Sequence, residues 1–118
     1  MQQETTAGDA FEALAAAPRR EILTLLAKDS PRTVSSLVEI LGLAQPAVSK
    51  HLGVLRKVGL VSVHKDGQHR WYTLRPEKLR AVHEWTKMFE RFWEEHLEDV
   101  KQAAERKARA ARNPGNGN

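Results

Sequence analysis

The chain has 118 residues, 41% of them apolar and 29% charged, which suits one small domain and leaves no space for a second. It contains no cysteine, which removes disulfides, zinc ribbons and thiol catalysis, and no apolar run of secretion-signal or membrane length, so a cytoplasmic protein with no membrane association is expected. The net charge of +4 falls in blocks: residues 33–75 carry six basic against two acidic groups and three of the five histidines, 76–105 are net acidic, and 106–118 carry four basic groups and no acidic one. Such segregation points to one face that meets a polyanion, nucleic acid first, while another meets protein or water. Folding at this size hides roughly two thirds of the unfolded surface, so the core is thin and a partner subunit is expected to cover some apolar faces.

Residues 1–6 offer nothing to anchor them and are expected to be disordered. Phe11, Leu14 and Ala15 recur at helical spacing within Asp9–Ala17, and Pro18, which has no amide donor, ends that first helix. Pro18 also suits the first turn of a second helix, whose apolar stripe of Ile22, Leu23, Leu25 and Leu26 runs to Asp29. Thr33 is placed to cap a third helix with Leu37, Ile40 and Leu41 on its buried side, and Gly42 stops it. After a short connection, Pro46 opens a fourth helix with Val48, Leu52, Leu55 and Val58 inward, ended by Gly59.

The outward face of that fourth helix carries Gln45, Ser49, Lys50, His51, Arg56 and Lys57, with no carboxylate among them. From Leu60 the apolar period changes to two, and Asp66-Gly67 reads as the tight-turn pair of a β-hairpin whose tip is flanked by Lys65, Gln68, His69 and Arg70. Pro76 begins the last element, a long helix in which Leu79, Val82, Trp85, Phe89, Phe92, Trp93, Leu97 and Val100 recur for about six turns. Ala103–Ala111 also suits a prolongation of that helix, while residues 113–118 have too little apolar surface to offset their ordering entropy; 106–118 is expected to be a flexible basic tail behind a single domain of residues 7–105. Its four cations either brush a polyanion or keep a frayed end soluble.

Two short helices joined tightly, the second polar and basic outward, followed by a cationic hairpin, make a helix-turn-helix with a wing. The fold class expected is therefore mainly α with a small β-hairpin, a winged helix-turn-helix of five helices. Leu43-Ala44-Gln45-Pro46-Ala47-Val48-Ser49-Lys50-His51-Leu52, with Leu55-Arg56 and Gly59-Leu60-Val61 after it, resembles the recognition-helix signature of the ArsR-type winged-helix repressors. Ala17-Pro18-Arg19-Arg20-Glu21-Ile22-Leu23 and the wing residues Trp71-Tyr72 and Leu74 extend the resemblance over about residues 10–100. It implies a dimeric DNA-binding repressor that pairs through its first and last helices, with each recognition helix in a major groove and each wing beside the backbone.

A helix fits the major groove, where Gln45 and Ser49 reach toward base edges, Lys50 and His51 toward bases or phosphates, and Arg56 toward phosphate. His51 has a second reading, as a residue packed between helices, and Arg56 and Lys57 have another, as an ordinary solvated face. Lys65, His69 and Arg70 suit phosphates beside the wing, with only Asp66 set against them. Ala44 departs from the family's frequent serine and forgoes a cap worth about 1 kcal/mol.

Trp85, Phe89, Phe92 and Trp93 suit either a small-molecule pocket or a packing surface, and a dimer interface shared with Phe11 and Leu14 is the preferred reading. The thiolate sites of metal-sensing relatives need cysteines that the third helix lacks. Their last-helix sites need a spacing that His83 and His96 do not keep, so neither a metal site nor any other cofactor is expected. Whether an inducer exists is left open. No nucleophile, base and orienting group stand together, so no enzyme is expected. The rival to a homodimeric repressor on a palindromic site in double-stranded DNA is a ligand- or protein-responsive module whose aromatic last helix docks a partner.

Overall fold

Two arginines decide where the first helix stops. In the computed structural model, which describes residues 7–112, α1 spans Ala7–Ala13 and ends four residues before the expected Ala17. Arg19 Nε donates to the Ala13 carbonyl at 2.6 Å, and Arg20 donates to that of Leu14 at 2.7 Å, so cations from the next helix satisfy the orphan carbonyls of this one. α2 (Ala17–Lys28) then carries Pro18 in its first turn, where the missing amide costs no bond, and buries Ile22, Leu23 and Leu26. The expectations for residues 1–6 and 113–118 lie outside the described residues.

A two-residue strand, β1 (Arg32–Thr33), precedes α3 (Val34–Leu41). It is too short to leave any periodic signal, and the sequence reading has no counterpart for it. Thr33 caps α3 as expected, its hydroxyl accepting from the Ser36 amide at 3.2 Å, and Gly42 ends the helix at a φ of 69°, which glycine adopts without a Cβ clash. Thr33→Ala is therefore expected to lower stability by about 1 kcal/mol in urea unfolding followed by circular dichroism, with no change in fold.

α4 (Gln45–Lys57) opens on Pro46 with no side-chain cap from Ala44, and its inward face of Val48, Leu52 and Leu55 is completely buried. These meet Ile22, Leu26, Leu37 and Leu60 in one core, joined by Val61 and Tyr72 from the sheet. β2 (Val61–Asp66) and β3 (His69–Leu74) pair antiparallel, so that Val61 faces Leu74, Val63 faces Tyr72, and all four share one side of the sheet. Because Asp66 pairs with His69, the two turn residues are Gly67 and Gln68 rather than Asp66 and Gly67; the positive φ of 64° falls on Gly67 at the first central position. β1 adds to the outer edge of β3, giving a three-stranded sheet in the order β1-β3-β2 instead of a bare hairpin.

The expected single last helix is interrupted, and the described residues hold six α-helices, not five. A 3-10 turn over Pro76–Leu79 leads into α5 (Arg80–Lys87), and α6 (Glu90–Arg112) follows a break at Met88-Phe89. There the amides of Met88 and Phe89 bond the carbonyls three residues back, at 3.2 and 3.0 Å, which tightens the backbone into a 3-10 turn although neither proline nor glycine is present. The apolar period runs through the break unchanged, which is why it reads as one helix. α6 continues to Arg112, taking in Ala103–Ala111, with Arg109 and Arg112 favourably placed in its last turn. The chain divides into two compact units, one ending at His83 and one beginning at Glu84.

Candidate nucleic-acid interface

The packing of α4 fixes what it shows to solvent. With Val48, Leu52 and Leu55 held in the core, helical geometry turns Gln45, Ser49, Lys50, Arg56 and Lys57 outward, and all five are exposed. No carboxylate lies anywhere in α4. Of the side chains expected on this face, His51 sits apart. It is half-buried, and Arg19 donates to its Nδ1 at 3.4 Å; because a guanidinium only donates, that ring nitrogen accepts. This contact joins α4 to α2 through the His51 ring, which is half-buried between its two expected settings, toward DNA and between helices.

The wing supplies a second exposed group of donors. Its ladder sets Lys65 opposite Arg70 and Asp66 opposite His69, so two like charges project side by side from the tip. Lys65, His69 and Arg70 are all exposed, and among the described residues Lys65 and Arg70 form no ion pair. Like charges held opposite one another without compensation oppose folding, an arrangement that an approaching anion relieves.

Between wing and helices lies a feature that sequence reasoning missed. The register Thr33↔Trp71 and Arg32↔Tyr72 ties the start of α3 to β3. The result is a cleft of about 210 Å³ with Ser35 on one wall, Gln45 at the start of α4, and Gln68, His69 and Arg70 on the wing side. Ser35 carried no signal in the sequence, since only the strand pairing brings it beside the wing. Arg32 supports this corner: it donates to the Ser36 hydroxyl at 3.0 Å and lies 3.6 Å from Asp29.

In the first unit, Phe11 and Leu14 are half-buried. In the second, Trp85, Phe89, Phe92 and Trp93 are between 36% and 53% exposed, and Met88, Leu97 and Val100 extend the same apolar series. Trp85 and Phe89 stack edge to face with ring centres 5.1 Å apart, and Arg91 lies 5.1 Å over the Phe92 ring. His83 and His96 are exposed, and among the described residues no three histidine, cysteine, aspartate or glutamate side chains gather as a metal-binding group. No helix among them is long and apolar enough to cross a membrane.

Residues 18–63, from the second helix into β2, match the family model for bacterial regulatory proteins of the arsR family. The chain is 32% identical over 75 residues to the transcriptional repressor SdpR of Bacillus subtilis, covering 64% of this chain and 82% of that protein. It is 39% identical over 84 residues to the HTH-type transcriptional regulator Rv2034 of Mycobacterium tuberculosis, covering 71% and 75%. Among solved structures, an ArsR family transcriptional regulator aligns with a TM-score of 0.65 at 33% identity, over 80% of this chain and 97% of the other. An ArsR-like transcriptional regulator from Rhodococcus sp. RHA1 aligns with a TM-score of 0.61 at 31% identity, over 83% and 92%.

Proposed function

The chain belongs to the arsR family of bacterial regulatory proteins, and from that premise we propose that it is a homodimeric repressor which blocks transcription by occupying a palindromic operator. Its helix-turn-helix fold is that of DNA-binding transcriptional regulators, which are not enzymes. The observation that carries the proposal is the exposed, carboxylate-free face of α4, set beside a wing whose Lys65 and Arg70 form no ion pair among the described residues. In this reading α4 enters the major groove, Gln45 and Ser49 meet base edges, and Lys50 bridges base and phosphate. Arg56 and the wing residues Lys65, His69 and Arg70 rest on the backbone. His51, by contrast, acts through its contact with Arg19, fixing the angle at which α4 is presented.

Two-fold symmetry sets the spacing: the half-sites lie about one helical turn apart, or a multiple of it. The exposed apolar series from Trp85 to Trp93, with Phe11 and Leu14, forms the contact between protomers. Regulation does not run through a metal, because the chain has no cysteine and its last-helix histidines do not keep a sensor's spacing. The protein works in the cytoplasm.

Selection of bound fragments from random DNA by the purified protein tests this reading, and inverted half-sites are the expected enrichment. Repeating the titration with divalent metals and with chelator is expected to leave the affinity unchanged. On the selected site, Lys50→Ala is expected to weaken binding about tenfold, the order of one good base or phosphate contact, with the dimer intact by sedimentation. Enrichment of no sequence at all would remove the repressor reading.

A further inference from the structure

The cleft between the start of α3 and the wing is shaped by the short strand β1. β1 pairs with β3 through only two residues, yet that pairing fixes the distance between Ser35 and the strand that carries His69 and Arg70. The cavity measures about 210 Å³. Open to solvent on one side, it has room for a tetrahedral oxyanion with some of its hydration.

Its lining is one-sided in chemistry. Ser35 offers a hydroxyl, Gln45 and Gln68 offer amides, His69 offers a ring nitrogen and Arg70 offers a guanidinium, and no carboxylate is among the lining residues. Asp66 stands across the ladder from His69, outside the cleft. Glu39 borders the neighbouring hollow, which shares the Ser35 and Gln45 wall, and does not line the cleft itself. Thr33 is already committed, its oxygen accepting from the Ser36 amide. Ser35 is exposed, and its hydroxyl has no partner among the described residues.

We propose that this cleft seats one phosphate of the operator backbone, with the Ser35 hydroxyl and the Arg70 guanidinium as its two principal donors. The proposal rests on the DNA-binding reading above and adds to it a contact made by α3, a helix to which the expected interface assigned no role. A guanidinium and a hydroxyl converging from separate elements hold a phosphate more selectively than either alone, and they lock the register of α4 against the groove floor. Gln45 then belongs to both surfaces, one edge toward the bases and one toward the seated phosphate.

The test uses the full chain and its selected operator duplex, in which single backbone phosphates are replaced in turn by neutral methylphosphonate. Ser35→Ala is expected to weaken binding at least about tenfold, the order of one hydrogen bond to a charged group, and to leave the salt dependence unchanged. Arg70→Gln is expected to weaken it further and to reduce the log–log salt slope by about one. At one phosphate per half-site, the methylphosphonate penalty seen with the unaltered protein should vanish in the Ser35→Ala, Arg70→Gln double variant. Ser35→Ala leaves the Thr33 cap in place, so the fold is retained. Wild-type affinity in Ser35→Ala, or a methylphosphonate penalty that survives at every position in the double variant, overturns the proposal. Failure of the unaltered protein to select any duplex overturns the DNA-binding reading itself.

Discussion

Phe92→Asp with Trp93→Asp is expected to convert the proposed dimer to monomers in sedimentation velocity and to lower operator affinity by about 10²–10⁴-fold in fluorescence anisotropy, the factor that linking two half-site contacts contributes. Both rings are about half exposed in the single chain, 53% and 49%, and they lie in a series continued by Leu97 at 62% and Val100 at 49%. An aromatic side chain hides 150–250 Å² when fully buried, at roughly 25 cal/mol per Å². A series of this length left in water is unusual unless a partner covers it. The charges of α6 favour a second copy as that partner. Residues 90–99 carry five acidic groups and one basic, while 101–112 carry five basic and one acidic, so two such helices running antiparallel set unlike charges against each other. Both substitutions are at exposed positions, so circular dichroism is expected to report an unchanged helix content. A double variant that remains dimeric would move the interface elsewhere.

The elements legible in the sequence are those in which one physical signal acted alone. α3 could be bounded by eye because Thr33 can only cap from where it stands and Gly42 supplies the left-handed backbone that ends it. α4 was legible because Val48, Leu52 and Leu55 can share a core only in one helical phase, and that phase dictates the opposite face. The features that were not legible depend on tertiary partners. β1 consists of two residues and exists because β3 has a free edge. α1 stops at Ala13 because arginines six residues ahead in sequence take its last carbonyls. The break at Met88-Phe89 leaves the apolar spacing intact, so periodicity cannot register it.

The candidate site divides along the same line. Gln45, Ser49, Lys50 and Arg56 follow from the phase of one helix, and Lys65, His69 and Arg70 follow from the turn that sets them at a hairpin tip. His51 lies at the boundary between the inward and outward faces, where a shift of a few tens of degrees decides between core and solvent. There the ring meets Arg19, 32 positions earlier in the chain, at 3.4 Å, a contact that helical phase alone does not disclose. Ser35 is the opposite case, an exposed residue with no pattern of its own that gains a chemical setting only when strand pairing brings the wing alongside.

Leu52→Ala is expected to cost about 2–5 kcal/mol of stability, measured by urea unfolding, and to abolish operator binding first at elevated temperature. Leu52 is completely buried, one turn from both Val48 and Leu55, and belongs to the same core as Ile22, Leu26 and Leu37. Truncation removes three carbons' worth of apolar contact and leaves a void that helices packed against one another and against the sheet cannot readily close. For a domain whose total stability is on the order of 5–15 kcal/mol, that loss takes a large share. The consequence for binding is direct, because Ser49, Lys50 and Arg56 are aimed by the same helix whose inward side loses its anchor. Leu25→Ala supplies the contrast: half-buried on α2, it is expected to cost well under half as much. Equal losses at the two positions would mean that the phase of α4 against the core is not what presents its basic face to the groove.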